Sequence, residues 1–467
     1  MPFSTSLFIF AFLPVTLLGY YLFPKKVRNF FLLCMSFVFY FVGGKEYLFL
    51  LLFSIIFNYI VGILLETLER EPLLRRLIFV LGILGNLFPL FYFKYFDFAV
   101  SNVNHLFKLG IPQKDLLLPL GISFYTFKAL SYIIDVYRKR VAANRNIIHL
   151  ALYIAIFSQV VSGPIMPYID LGDQIRERMT TSEDFVYGIR RFTYGLAKKV
   201  LIADILGQTV DRIFTSAYSL QTDLPTVWLG AVLYTLQIYF DFAGYSDMAV
   251  GLGKMFGFTF MENFNYPYIS KSISEFWRRW HISLSSWFRD YLYIPLGGNR
   301  EGNVYFNLFV VFLVTGIWHG ASWTFIIWGL WHGLFVIIER AVRGKKWCLK
   351  IPSAVKVIFT FLIVTLGWTL FRITNMTDAI NYFKLMFGVL KASSPEFTYV
   401  FYLNSQIIFT LIIGLILSTP LIKKIAELFQ EKAAFNIARV VFTSALLVLG
   451  IIFAVSSVYS PFIYFQF

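Results

Sequence analysis

The sequence predicts a polytopic, all-α membrane protein, and three observations favour that class: an apolar composition, few charges and long apolar runs. Of the 467 residues, 58% are hydrophobic and only 14% are charged, whereas about a quarter of the residues in soluble globular proteins are charged. Apolar runs recur from one end of the chain to the other. The ten-residue alternating segments typical of membrane β-barrels are not visible.

The apolar runs give the expected number of membrane helices. They lie at 3–23, 30–42, 47–65, 77–95, 116–136, 147–163, 225–252, 305–318, 322–340, 354–373, 405–422 and 437–460. A full crossing needs about 20 residues, so the short runs at 30–42 and 305–318 are expected to be tilted, extended by polar flanks or re-entrant. Residues 185–206 also read as helical, but four basic residues make them a poor lipid-facing span. We expect about 11 to 13 membrane or re-entrant helices.

No soluble domain is visible, and the chain divides into three parts by hydropathy. We expect N-terminal membrane helices over 1–115, a central core over 116–340 and C-terminal membrane helices over 341–467. Within the core, 255–304 is the longest stretch without a clear span, and we expect it to be interfacial or re-entrant.

Basic residues in the short loops predict the orientation. The loops at 24–29, 43–46, 66–76, 96–115 and 137–146 carry 3, 1, 3, 2 and 4 Lys or Arg residues. Because cytoplasmic loops are richer in Lys and Arg, this alternation places the N-terminus outside. The formal net charge of +15 is therefore interpreted as topology and contact with anionic lipids, not as nucleic-acid binding. Attraction of an anionic cytoplasmic ligand is a second interpretation.

Five histidines and two cysteines are the obvious candidates for chemistry. Cys34 and Cys348 are far apart, which favours neither a disulfide nor a metal site. His319 and His332 lie in two similar pentapeptides, GIWHG and GLWHG, that start 13 residues apart. Ionisable residues inside a membrane protein are costly and are candidates for function, and histidine suits proton transfer. The alternative for each pentapeptide is a helix-packing motif with a hydrogen-bonded histidine, in which glycines let two backbones approach closely.

The segment WRRWHISLSSWFRDYLYIPLGG, at 277–298, is polar and aromatic between apolar runs. The stretch 273–294 reads as one amphipathic helix, with aromatic residues on one side and polar residues on the other. The aromatic side contains Phe276, Trp280, Trp287 and Tyr291, and the polar side contains Arg278, Ser285 and Arg289. Such a helix would lie at the membrane interface or at the mouth of a cavity. An ordinary surface helix anchored by Trp and Tyr explains the same pattern.

Asp241 and Asp247, in YFDFAGYSDMAVGLG, lie in or beside an apolar run. Carboxylates there are expensive, which makes them candidate site residues. The alternative is a buried hydrogen bond or ion pair that orients helices.

Four segments of the chain resemble the membrane-bound O-acyltransferases, in the bacterial branch of alginate O-acetyltransferases. They are LPLGISFYTFKALSYIIDVYR (118–138), LGAVLYTLQIYFDFAGYSDMAVGLGKMFGF (229–258), ENFNYPYISKSISEFWRRWHISLSSWFRDYLYIPLGGNR (262–300) and GIWHGASWTFIIWGLWHG (316–333). The resemblance implies helices arranged around a central tunnel. Its near-invariant histidine falls on His319 and its second on His281, which implies that both are catalytic, with no metal.

The resemblance also implies a reaction and its substrates. His319 would act as general base on a hydroxyl or help to hold it for attack, and His281 would position an acyl thioester or move a proton. Residues of the tunnel or donor site would come from Arg278, Arg279, Trp280, Arg289, Trp318, His332, Asp241 and Asp247. The implied donor is acetyl-CoA, whose phosphates the arginines would meet. Lipid phosphates explain the same arginines equally well.

The acceptor implied is an extracytoplasmic cell-wall or secreted polysaccharide, reached through a separate periplasmic or extracellular acetyltransferase. The protein would lie in the bacterial cytoplasmic membrane. An alternative in the same family is D-alanyl transfer to teichoic acids from an acyl-carrier protein. From another class, intramembrane His and Asp residues are also typical of a proton-coupled transporter, and a scaffold for a secretion complex is a third option.

Overall fold

The computed structural model describes residues 1–392 and 397–456, and within these ranges every regular element is a helix. This confirms the all-α prediction. The chain forms two compact units. One consists of Met1–Phe192 with Met248–Met261, and the other of Thr193–Asp247 with the described part of Glu262–Phe467.

The α-helices are numbered in chain order. The first ten are α1 (Leu13–Leu22), α2 (Lys25–Gly44), α3 (Leu48–Thr67), α4 (Pro72–Phe107), α5 (Ile122–Tyr137), α6 (Ile147–Ala155), α7 (Tyr168–Arg176), α8 (Ser182–Ala197), α9 (Asp204–Tyr218) and α10 (Leu224–Met255). The others are α11 (Ile273–Arg279), α12 (Ile282–Phe288), α13 (Val304–His319), α14 (Trp323–Val342), α15 (Lys346–Lys350), α16 (Ser353–Arg372), α17 (Met376–Met386), α18 (Tyr399–Tyr402), α19 (Ser405–Leu417), α20 (Leu421–Phe429) and α21 (Ala433–Ser456). Short π-helical turns occur at Phe8–Phe12, Lys198–Ala203 and Arg289–Tyr293, and 3₁₀ turns at Lys45–Tyr47 and Pro267–Ile269.

Several described helices are long and apolar enough to cross a bilayer. There are 5 such stretches, or up to 6 if α19 and α20, which are bent by 65°, form one broken span. The five are Lys25–Thr67, Pro72–Phe107, Trp323–Val342, Ser353–Arg372 and Ala433–Ser456. Many of their large apolar side chains are exposed, as expected for faces that contact lipid. The protein is therefore a multi-pass membrane protein, and the run at 305–318 belongs to a shorter apolar helix, Val304–His319.

The apolar run at 147–163 does not form one helix as expected. Helix α6 ends at Ala155, and the rest of the run is an irregular but buried segment. One of its polar side chains has a partner inside the first unit, because the buried Lys128 amine of α5 donates to Gln159 Oε1 at 2.8 Å. Gly163 and Pro164 then follow, and proline disfavours helical backbone at the residue before it. A protein-lined interior allows irregular backbone that lipid would not.

Candidate active site

Helices α13 and α14 form a hairpin whose helix starts are set by side-chain caps. Asn303 Oδ1 accepts the backbone N–H of Tyr305 at 2.9 Å, and Ser322 Oγ accepts that of Thr324 at 3.1 Å. Such caps satisfy backbone donors that a helix start leaves without partners. The hairpin places GIWHG at the end of α13 and GLWHG within α14.

The first glycine of each pentapeptide lies where the two helices cross. A Cβ atom on Gly329 would lie 2.4 Å from the carbonyl oxygen of Phe312 and 2.9 Å from the backbone of Gly316. Only residues without a side chain allow this approach. The packing role expected of these glycines is confirmed.

His319 is the last residue of α13 and is 3% exposed. Its imidazole is surrounded by aromatic rings, with centroid distances of 4.8 Å to Trp318, 4.7 Å to Trp328 and 5.2 Å to Phe371. All three pairs meet edge to face, a geometry that aromatic rings prefer. The ring of His319 is therefore oriented by packing from α13, α14 and α16.

His332, on α14, belongs to the same aromatic cluster but has different surroundings. Its ring centroid lies 5.2 Å from Trp328 and 5.3 Å from Trp277. The side chain is completely buried, and neither ring nitrogen has a hydrogen-bond partner among the described residues. Its Nε2 faces Gly367 of α16, where a Cβ atom would lie only 2.7 Å away. Trp328 thus separates His332 from His319.

His281 lies between two short helices, and its backbone is in the left-handed region with φ of 44° and ψ of 54°. That conformation is uncommon for a residue other than glycine and is often found at functional sites. The side chain is fully buried, and Nδ1 lies 3.1 Å from Asn263 Oδ1. The ring packs edge to face on Phe242 at 4.7 Å and contacts Trp318 at 6.4 Å. His281 and His319 therefore both contact the indole of Trp318.

The predicted single helix over 273–294 is wrong, and its predicted faces are right except at Ser285, which was assigned to the polar side but has a buried hydroxyl. The segment is broken into α11, α12 and the π-helical turn Arg289–Tyr293, because the left-handed backbone at His281 cannot continue a helix. The four aromatic residues assigned to one side are all buried, whereas Arg278 and Arg289 are exposed. Among the buried rings, Trp280 packs on Trp368 at 4.6 Å.

Asn263 is a site residue that sequence reasoning missed. It is buried, and its Oδ1 accepts from Ser283 N and Ser283 Oγ at 3.1 and 2.9 Å as well as contacting His281. Its Nδ2 donates to Ser246 Oγ of α10 at 3.1 Å. The only signal in the sequence is an asparagine inside the aromatic stretch ENFNYPY, 18 residues before His281.

The structure places Asp241 and Asp247 in ion pairs. Lys199 Nζ lies 2.7 Å from Asp241 Oδ1 and 2.7 Å from Asp204 Oδ1, and Lys198 Nζ lies 2.6 Å from Asp247 Oδ2. Both lysines come from the π-helical turn that follows α8. These contacts match the expected alternative, in which the carboxylates orient helices.

The three candidate arginines differ in their partners. Arg279 pairs with Glu275 at 2.9 Å and donates to the carbonyl oxygen of Asn265 at 3.0 Å. Arg289 pairs with its neighbour Asp290 at 2.7 Å on the surface. Arg278 is exposed and makes no ion pair within the described ranges. Arg278 and Arg289 thus present charge to solvent, and Arg279 mainly holds α11 to the preceding loop.

The sequence profile of the membrane-bound O-acyltransferase family, MBOAT, matches residues 138–377. That range covers more than half of the chain and contains the hairpin, Asn263 and the three histidines described above. The chain belongs to the membrane-bound O-acyltransferase family. The family confirms that this membrane protein is an acyltransferase.

Similarity to bacterial proteins identifies the branch of the family. The chain is 46% identical to a probable alginate O-acetylase, AlgI, of Pseudomonas aeruginosa, over 83% of this chain and 75% of the relative. It is 35% identical to a peptidoglycan O-acetyltransferase of Helicobacter pylori, over 100% of this chain and 97% of the relative. It is 31% identical to a teichoic acid D-alanyltransferase of Bacillus subtilis, over 54% of this chain and 65% of the relative. The alginate O-acetyltransferase-like branch expected from the motifs is confirmed.

Proposed function

We propose that this enzyme transfers acetyl groups from cytoplasmic acetyl-CoA across the membrane, for O-acetylation of an extracytoplasmic cell-wall or secreted polysaccharide. The names of the relatives from Pseudomonas aeruginosa and Helicobacter pylori, which refer to alginate and peptidoglycan, support this substrate class. The observation that carries the proposal is the pair of buried histidines, His281 and His319, which both contact the indole of Trp318.

His319 is proposed as the general base. Its imidazole takes the proton of an acceptor hydroxyl while the hydroxyl oxygen attacks the thioester carbonyl carbon. The tetrahedral intermediate then collapses, the carbon–sulfur bond breaks, and the thiolate of CoA leaves and takes the proton from the imidazolium of His319, which restores the base. The aromatic rings around His319 favour this chemistry because a dry site protects the thioester from water and strengthens polar contacts.

His281 is proposed to position a reacting group or to move a proton beside His319. Trp280, Trp318 and His332 would line the path to these residues, which we propose to be a tunnel through the protein. The ion pairs of Asp241 and Asp247 would hold α10 in place behind the path.

The donor is proposed to approach from the face that carries Arg278 and Arg289. Both side chains are exposed, and guanidinium groups suit phosphate recognition. Anionic lipid headgroups would use the same side chains. Measuring the effect of arginine substitutions on the KM for acetyl-CoA in lipid-free micelles separates the two ligands.

We propose that the enzyme lies in the bacterial cytoplasmic membrane, with its N-terminus outside. A separate periplasmic or extracellular acetyltransferase would receive the acetyl group and place it on the glycan. The distribution of Lys and Arg over the first five loops supports this orientation.

D-alanyl transfer to teichoic acids is the second candidate, favoured by the similarity to the enzyme of Bacillus subtilis. The greater identity and coverage of the O-acetylating relatives favour acetyl transfer. A proton-coupled transporter is less supported, since the chain belongs to an acyltransferase family.

The test uses the purified protein in nanodiscs with radiolabelled acetyl-CoA, and, in parallel, a D-alanyl thioester on an acyl-carrier protein. Wild type should consume acetyl-CoA and pass label to a glycan or a protein partner. His319→Ala should lower that rate by about 10²- to 10⁴-fold, the usual contribution of a general base. Consumption of only the D-alanyl donor would support the second candidate, and equal rates for wild type and His319→Ala would contradict the assignment of the base.

A further inference from the structure

The side-chain amide of Asn263 has only one orientation that fits its neighbours. The backbone N–H of Ser283 lies 3.1 Å from one amide atom, and because that N–H can only donate, the atom facing it is the oxygen. The Ser283 hydroxyl donates to the same oxygen at 2.9 Å, and the amide nitrogen donates to Ser246 Oγ at 3.1 Å. The oxygen of Asn263 is therefore the atom that faces both Ser283 and the ring of His281, and it can only accept.

This orientation fixes which nitrogen of His281 carries the proton. Asn263 Oδ1 lies 3.1 Å from Nδ1, and a carbonyl oxygen only accepts, so Nδ1 is the donor. The Ser283 hydroxyl is farther from Nδ1, at 3.4 Å. His281 lies outside the spanning helices, and its complete burial lowers the pKa of the imidazolium to about 3. The ring is thus neutral near pH 7, and Nε2 holds the lone pair.

The backbone strengthens the same arrangement. Ile282 N donates to the carbonyl oxygen of Asn263 at 3.0 Å, directly after the left-handed residue His281. Backbone and side chain of Asn263 therefore both bind the turn that carries the histidine. A strained backbone conformation persists only where its surroundings hold it.

We propose that Asn263 is a positioning residue that holds His281 in the Nδ1–H tautomer, so that Nε2 is an acceptor and not a donor during acetyl transfer. This inference rests on the proposed participation of His281 in acetyl transfer. It restricts the role of His281. In a neutral ring with its lone pair on Nε2, that nitrogen can accept a hydrogen bond but cannot donate one to the thioester carbonyl. Of the roles proposed for His281, moving a proton is the one that this tautomer supports, with Nε2 as the acceptor, while His319 remains the base for the acceptor hydroxyl.

The first part of the test reads the tautomer without any substrate. Wild-type protein labelled with ¹⁵N-histidine in nanodiscs gives one pair of ring-nitrogen signals for each histidine, and the pair that disappears in His281→Gln belongs to His281. Near pH 7 we expect the Nδ1 signal to be of the protonated type and the Nε2 signal to be of the unprotonated type. The opposite assignment in the wild-type protein overturns the inference.

The second part compares three variants. Asn263→Leu removes the acceptor, Asn263→Asp keeps an oxygen in the same place, and Asn265→Ala is the matched control, because that nearby asparagine is exposed and uses only its backbone towards Arg279. Asn263→Leu should lower kcat by about 10- to 100-fold, the usual effect of losing a group that orients a site residue. The KM for acetyl-CoA should change little. Asn263→Asp should retain more activity than Asn263→Leu, and Asn265→Ala should match wild type.

Three further outcomes complete the test. Unchanged kcat and unchanged ¹⁵N signals in Asn263→Leu contradict the positioning role. If Asn263→Leu does not fold, Ser246→Ala is used instead, since it removes only the acceptor for Asn263 Nδ2, and it should give a smaller loss of kcat in the same direction. An Nδ1–H tautomer together with a fully active His281→Gln would mean that the proposed use of His281 fails while its tautomer is as inferred.

Discussion

His281 and His332 are both completely buried, and both lie one aromatic ring away from His319, but they are held in different ways. Nδ1 of His281 contacts Asn263, which is itself fixed by Ser283 and Ser246. Within the described ranges, the ring nitrogens of His332 have no hydrogen-bond partner, and the ring packs between indoles. A hydrogen-bonded histidine has a defined donor and a defined acceptor, whereas one held by packing alone has no assigned tautomer.

The difference teaches that burial of a histidine is not sufficient to assign a catalytic role. GIWHG and GLWHG look equivalent in the sequence, yet in each the glycine serves the helix crossing, and the histidine meets different neighbours. The neighbours, not the pentapeptide, decide what the imidazole can do.

The largest expected loss of stability comes from the ion pair that anchors α10, the helix that carries Ser246. Lys199→Met leaves the carboxylates of Asp204 and Asp241 buried without their shared ammonium group. Removing one partner of a buried pair typically lowers the free energy of unfolding by about 3–5 kcal/mol. Thermal unfolding of the protein in detergent measures this effect.

Lys423→Met is the matched control for that change. Its pair with Glu427 spans 4.0 Å, and both side chains are more than half exposed. Surface pairs contribute about 0–1 kcal/mol, so this variant should unfold close to wild type. Equal unfolding temperatures for the two variants would mean that Lys199 does not anchor α10.

A smaller loss of stability is expected when a side chain is added at the crossing of α13 and α14, next to the aromatic rings around His319. Gly329→Ala puts a Cβ atom 2.4 Å from the carbonyl oxygen of Phe312, so α13 and α14 must separate and the rings around His319 must shift. Overpacking of this kind typically costs about 1–3 kcal/mol, and the rate of acetyl transfer should fall with it. Unfolding temperature and thioester consumption are measured together.

Gly110→Ala serves as the control for the crossing, because nothing lies within 4 Å of the added Cβ atom. It should leave both quantities unchanged. If Gly329→Ala unfolds at the wild-type temperature, the crossing has space for a Cβ atom, and the close packing described here is wrong.

The smallest effect is expected at Arg289, which is exposed and pairs with its neighbour Asp290. If it meets donor phosphates, Arg289→Gln should raise the KM for acetyl-CoA by no more than about fivefold, in line with the weak energies of exposed charge pairs. The increase should shrink at high salt because added ions screen the attraction. An unchanged KM at low salt, in micelles without anionic lipid, would assign Arg289 to the lipid surface.

Features that depend on a local pattern of residues could be predicted from the sequence. Composition and apolar runs predicted an all-α membrane protein, and the helical period placed Phe276 and Trp280 on the buried side of their segment. The glycines of the pentapeptides predicted close helix packing. These features depend on periodicity or on residue size, and both can be determined from one segment of the sequence.

Features that depend on distant partners were not predictable. The helical period of the sequence continues through His281, so the segment is predicted to be one helix. No local pattern indicates the left-handed backbone at His281. The role of Asn263 depends on Ser246 and Ser283 meeting it in space. The four basic residues of 185–206 predicted a poor lipid-facing span, but only the fold shows that Lys199 reaches Asp241.

The most direct test of the account compares thioester consumption by His281→Gln and His332→Phe, each normalised to the amount of folded protein. Phenylalanine keeps the ring contacts of His332 and removes two nitrogen atoms that lack partners in the described part of the chain, so His332→Phe should remain within about tenfold of wild type and unfold at no lower temperature. His281→Gln should lose about 10²-fold or more. A large loss in His332→Phe beside a nearly normal His281→Gln would contradict the claim that hydrogen-bonded surroundings distinguish the reacting histidine from the packing one.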